Sequence, residues 1–127
     1  MDAVVHLDTH VVVWLYAGQV ARLSRPARKA IESGGLVISP MVSLEMQFLL
    51  ETGRIIAEPA RILDALADSL GLRMDEQPFA AVMKESLAQK WTRDPFDRII
   101  VAQALRAGAV LVSKDRLIRR NYGKTCW

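Results

Sequence analysis

The sequence predicts an α/β fold, with a central, mostly parallel sheet covered by helices on both faces, and three observations predict it. Short apolar runs fit for strands, Val4 to Leu7, Leu36 to Ile38 and Ala109 to Val112, are separated by longer stretches whose apolar residues recur at helical spacing. Each run is continuous rather than alternating, as strands buried on both faces require. Helices lying between successive strands supply the crossovers that parallel pairing needs.

Each element has its own local reason. Val4, Val5 and Leu7 form a β-rich run that stops at Asp8, and His10 to Tyr16 reads as the first turns of a helix. Ser24-Arg25-Pro26-Ala27 places a capping hydroxyl before a proline and opens a helix that closes at Gly34-Gly35. Leu36 to Ile38 is a second strand, ended by Ser39-Pro40. Ser43 can then cap a helix over Leu44 to Thr52, closed by Gly53, with Glu45 in its first turn. Pro59 to Leu70 and Pro78 to Lys90 read as two helices packed as a pair, with Leu72 to Asp75 a short edge strand between them. Asp94-Pro95-Phe96-Asp97 is a strong helix start, and nothing breaks that helix before Gly108. Ala109 to Val112 is the third apolar strand, followed by Ser113-Lys114-Asp115 and a basic helix, while Tyr122 to Trp127 is open between a last edge strand and a loop.

At 127 residues the chain suits one domain over 1–127. A hydrophobic share of 51% against 24% charged residues excludes a disordered or fibrous chain. Met1 to Leu7 lacks the basic-then-apolar order of a secretory signal, and no apolar run is long enough to span a bilayer, so no membrane association is expected. The one cysteine, Cys126, can close no disulfide within the chain; together these features point to the cytoplasm. The net charge of +3 favours a polyanionic partner only weakly. Its distribution says more, since basic residues bunch at Arg22, Arg25, Arg28 and Lys29 and again at Lys114, Arg116, Arg119, Arg120 and Lys124.

In open parallel sheets ligands lie beyond the carboxyl ends of the strands. That rule draws four acids to one rim: Asp8 and Asp115 after strands, and Glu45 and Asp97 near helix starts over the same edge. Clustered carboxylates repel one another and offer hard anionic oxygens, so the chemistry points to a hard dication, magnesium or alternatively manganese, with open positions for water and phosphate. Arg98, Lys114 and Arg116 flank these acids and are candidates to contact phosphate.

The pieces Leu7-Asp8-Thr9-His10 with Trp14, Ser39-Pro40 with Ser43 and Glu45, Asp94-Pro95-Phe96-Asp97-Arg98 with Ala102-Gln103-Ala104, and Leu111-Val112-Ser113-Lys114-Asp115 resemble the successive motifs of PIN-domain proteins. Among these the chain is most similar to the VapC-like toxins of prokaryotic toxin–antitoxin pairs. The resemblance implies a three-layer α/β/α sandwich, magnesium-dependent endoribonuclease activity on an RNA substrate, a homodimer, and inhibition by a small cognate antitoxin. It also implies that Asp8, Glu45, Asp97 and Asp115 are the metal-binding and catalytic acids, with Thr9 and Ser113 as small hydroxyl positions beside them. This chain has Trp91-Thr92 where relatives often carry histidine just before the Arg-Asp-Pro-Phe-Asp stretch.

Simpler explanations exist for several of these residues. Asp94 is mainly a helix cap that could also touch the metal or its waters; Asp97 could complete a capping box with it, and Asp115 could cap the last helix. Glu45 could favour its helix start, His10 could be a packed or capping side chain, and Trp14 and Trp91 could be core or dimer surface. Two other functions are open. A phosphotransferase on an aspartate would want a second acid close to Asp8, which Thr9-His10 does not supply. A non-catalytic RNA- or partner-binding module on the same fold would use the acids as caps.

Overall fold

A computed structural model describes residues 3–127; Met1 and Asp2, the start of the stretch read as lacking a secretory signal, lie outside them. Five strands form one sheet: β1 (Val4–Leu7), β2 (Gly35–Ile38), β3 (Arg73–Met74), β4 (Val110–Val112) and β5 (Thr125–Cys126). Their order is β3-β2-β1-β4-β5 and every pairing is parallel, so the expected α/β architecture is the one observed. The register sets Val5 beside Leu36 on one side and Val110 on the other. Among the described residues there are seven α-helices: α1 (Thr9–Tyr16), α2 (Arg25–Ser33), α3 (Pro40–Glu51), α4 (Pro59–Leu70), α5 (Phe79–Ser86), α6 (Pro95–Ala107) and α7 (Arg116–Asn121).

Where the sequence predicts a side-chain cap the helix starts follow it in all but one case, while α4 and α5 begin without one. Ser24 accepts from Ala27 N, Asp94 from Phe96 N and Asp97 N, and Asp115 from Leu117 N and Ile118 N. The exception is α3, which begins at Pro40 under a Ser39 cap rather than at Leu44 under Ser43. Proline at the first helical position costs no hydrogen bond, and Ser43 turns its hydroxyl back onto the Pro40 carbonyl. Glu45 therefore sits in the second turn, where the helix start no longer accounts for it. Two further expectations change. The helix predicted over Pro78 to Lys90 ends at Ser86, and α4 packs against α1 and α3 while α5 packs against α6, so the two are not a pair. The open C-terminal stretch contributes β5 at the edge beside β4.

The core explains why these strands are central. Leu7, Ile38 and Leu111 are each at most 1% exposed and join side chains from helices, among them Val11, Val42 and Ile100. Each such side chain contributes about 1.5–3 kcal/mol of burial free energy, which fixes the strand ends relative to the helix starts that follow them. Gly34 permits the close approach of β2 to β1, because a Cβ there would meet Val5 Cγ2 at 2.3 Å. None of the described helices is long and apolar enough to cross a membrane.

Candidate active site

Beyond the carboxyl ends of β1 and β4 the chain closes around a cavity of about 240 Å³, lined by Asp8, Thr9, His10, Glu45, Leu49, Asp94, Asp97 and Asp115. All four acids expected at this rim are there, and Asp94 is with them. Among the described residues no lysine or arginine lines the wall.

Asp8 is placed by the sheet: its backbone N–H donates to the Val112 carbonyl at 3.0 Å, extending the β1–β4 pairing by one residue. The residue is 4% exposed, and both of its carboxyl oxygens are engaged, Oδ1 by Thr9 N at 2.8 Å and Oδ2 by the Ser113 hydroxyl at 2.6 Å. These two donors fix the direction of the Asp8 carboxyl. The Thr9 hydroxyl donates to Glu45 Oε1, joining α1 to α3. Thr9 and Ser113, expected beside the acids, thus bond to them directly.

Glu45 and Asp97 carry the cost of the crowding. Burial raises the Glu45 pKa above its ordinary range, the Thr9 hydrogen bond opposes this, and the Asp8 and Asp94 charges add to it. For Asp97 burial is again the leading cause, followed by the charges of Asp94, Asp8, Asp115 and Glu45, and together they push it from 3.8 up to about 7. Its place in the first turn of α6 favours the ionised form by only about 0.3–1 kcal/mol, less than the roughly 1.36 kcal/mol that one pKa unit represents. Desolvation and like charge win. The capping-box explanation also fails, because the Asp94 N–H donates to Thr92 Oγ1 rather than to Asp97. Asp94 and Asp115 do cap their helices, and each still faces the cavity.

The donor set suits a hard dication: five carboxylates, no thiolate, and one imidazole at the margin. Among the described residues no group of three or more acidic, imidazole or thiol side chains is arranged to hold a metal ion. Magnesium does not demand one, since it keeps several waters and is held through one or two carboxylates together with phosphate oxygens.

The flanking basic residues divide. Arg98 is turned away, its Nε donating to the Thr92 carbonyl at 2.8 Å, and it does not line the cavity. The Lys114 ammonium lies 5.9 Å from the centre of the Trp14 ring, and Arg116 lines a neighbouring surface hollow. His10, read in the sequence as a packing or capping side chain, lines the cavity with Nδ1 3.6 Å from Asp8 Oδ2, while its Nε2 accepts from Lys114 N. The only sequence signal for this was its place two residues beyond Asp8 at a helix start. Trp14 does pack against the core, yet Arg22 and Lys114 also stand over its ring and Trp127 tilts against it.

The family model of the PIN domain matches residues 5–124 of this parallel α/β chain, which belongs to that family. It is 35% identical to Ribonuclease VapC22 of Mycobacterium tuberculosis over 116 residues, covering 89% of this chain and 88% of that protein. Solved structures share the fold. A chain of the VapBC2 complex of Rickettsia felis, crystallised with a DNA fragment from its promoter, superposes with a TM-score of 0.61 at 18% identity, covering 92% of each chain. PAE2754 of Pyrobaculum aerophilum gives 0.61 at 18% identity, covering 98% of this chain and 89% of that one. A chain of VapBC-1 from nontypeable Haemophilus influenzae gives 0.54 at 17%, with 92% and 90% covered.

Proposed function

We propose that this chain is a metal-dependent endoribonuclease and the toxin of a toxin–antitoxin pair. The observation that carries the mechanism is the cavity itself, in which five carboxylates meet with no lysine or arginine among the described residues and Asp97 is pushed up to about 7. A phosphodiester cannot approach such a wall unless positive charge intervenes. Asp8, Glu45, Asp97 and Asp115 would hold magnesium, or manganese in its place, and Asp94 stands within reach of its waters. When bound, the ion supplies charge against the phosphate oxygens and acidifies a coordinated water.

The chain's own residues prepare this. Asp8 is fixed in direction by Thr9 N and Ser113 Oγ. Thr9 turns the Glu45 carboxylate toward the same space. With its pKa near 7 the Asp97 carboxyl is partly protonated at neutral pH, so holding a cation there would be linked to release of that proton.

The VapBC complexes among the structural neighbours and the identity to a VapC ribonuclease support a small cognate antitoxin as partner and RNA as substrate. The working form is a homodimer acting in the cytoplasm. Incubating the partner-free protein with RNA and magnesium tests the activity. Cleavage is expected to stop in EDTA and in Asp8→Asn, and cleavage persisting in both would remove the mechanism.

A non-catalytic module on this fold is the second reading, favoured by the caps that Asp94 and Asp115 supply to α6 and α7. Calorimetry that detects no magnesium or manganese binding would select it.

A further inference from the structure

Beside the acidic cavity lies a second hollow, of about 460 Å³, lined by Arg116, Arg119, Arg120, Thr125 and Trp127. It begins one residue after Asp115. Its three arginines are exposed, and among the described residues none forms a salt bridge. Three guanidinium groups gathered on one short helix with no carboxylate partner repel one another, and that arrangement favours a polyanion. The floor is aromatic. Trp127 is partly buried and tilts against Trp14 at 6.1 Å, and Trp14 is itself approached by Lys114 at 5.9 Å and Arg22 at 5.6 Å. Cations alternating with aromatic rings are the chemistry that holds single-stranded nucleic acid, phosphates on the first and base faces on the second.

We propose that the RNA strand on one side of the scissile phosphate leaves the acidic cavity over Lys114 and lies in this hollow, its phosphates on Arg116, Arg119 and Arg120 and one base against Trp127. The inference rests on the ribonuclease reading. It adds Arg119, Arg120 and Trp127 as substrate-binding residues and gives the strand a direction over the β4–β5 edge. It also gives the C-terminal segment a role beyond edge pairing, since β5 sets Trp127 against the wall of the hollow.

The test measures binding of a short single-stranded RNA in EDTA, with cleavage off, across a series of salt concentrations. Each phosphate contact on a single strand contributes about 0.7 to the slope of log affinity against log salt, so the double variant Arg119→Ala/Arg120→Ala should lose about 1.4 from that slope. Trp127→Ala should weaken binding about fivefold or more, with Trp127→Phe restoring most of it. A charge-matched control, Arg73→Ala/Lys84→Ala, on β3 at the other edge of the sheet and on α5, should leave the slope at its wild-type value. If wild type cleaves RNA with magnesium while the double variant keeps the wild-type slope, this inference falls and the ribonuclease reading stands. An equal loss of slope in the control also overturns it, since the effect would then be general charge. If the double variant loses binding to poly-glutamate but keeps its RNA slope, the hollow takes an acidic protein segment instead. Wild type that neither binds nor cleaves RNA removes both readings.

Discussion

The Ser113 hydroxyl donates a 2.6 Å hydrogen bond to Asp8 Oδ2, joining two residues 105 positions apart in the chain. The same Ser113 oxygen accepts from the backbone N–H of Asp115 at 3.1 Å. One buried hydroxyl thus aligns the acid at the end of β1 and the start of the helix that carries another acid of the cavity. Ser113→Ala removes both bonds and leaves a buried carboxylate oxygen without a donor. Thermal denaturation should show a loss of about 1–3 kcal/mol, and cleavage should fall roughly 10–100-fold as the acid proposed to bind the metal loses its orientation. Wild-type cleavage by a folded Ser113→Ala protein would contradict this role.

Asp8→Asn and Asp97→Asn should each reduce cleavage by at least about 10²-fold, because each removes charge facing the proposed ion. Titration calorimetry should show weaker magnesium binding in both. Their stabilities should diverge: Asp97→Asn relieves repulsion, whereas Asp8→Asn exchanges an acceptor oxygen for an amide group beside the Ser113 hydroxyl or Thr9 N–H.

Without metal, stability should fall as pH rises through the Asp97 transition. In the unfolded chain this carboxyl ionises near 3.8 and in the folded chain near 7, so between those values the folded state holds the extra proton. Its contribution is complete below the lower value and lost as pH climbs through the upper one. Glu45 acts in the same direction. His6 acts in the opposite one, since burial lowers its pKa and charging it costs stability as pH drops below 6.5. Comparing melting temperatures of wild type and Asp97→Asn at each pH isolates the first effect: the variant should gain on wild type from pH 5 to pH 8. A constant difference would refute it.

Magnesium should raise the wild-type melting temperature, by the equivalent of about 2.7 kcal/mol at a hundred times the dissociation constant. EDTA should reverse the rise, and Asp97→Asn should blunt it. Absence of any shift across millimolar magnesium would argue against an ion in this cavity.

Gly34→Ala should destabilise the protein by roughly 1–3 kcal/mol without touching the cavity, since the added methyl overlaps Val5 Cγ2 and meets the Ala3 carbonyl oxygen at 3.0 Å. Denaturant unfolding would measure it. Gly35→Ala, with nothing within 4 Å of its added carbon, should be far milder.

Much of this was legible before any fold was known, because local chemistry writes local structure. Continuous apolar runs marked the strands, and Asp94-Pro95 and Ser24-Arg25-Pro26 marked helix starts, since a cap and a fixed proline φ act within one turn. The rule that parallel sheets bind at their carboxyl ends then drew Asp8, Glu45, Asp97 and Asp115 to one place, where all four are found.

What the linear order left open depends on contacts between distant residues. Ser39 rather than Ser43 caps α3, a choice between two suitable hydroxyls that shifts Glu45 into the second turn and toward Thr9. Composition could not foresee that Asp97 titrates near neutrality, that Arg98 folds back onto Thr92, or that Trp127 meets Trp14 beside three unpaired arginines. A propensity belongs to one residue and its neighbours in the chain. Desolvation, charge repulsion and ring packing belong to whatever the fold brings within a few ångströms, and only the tertiary structure decides that.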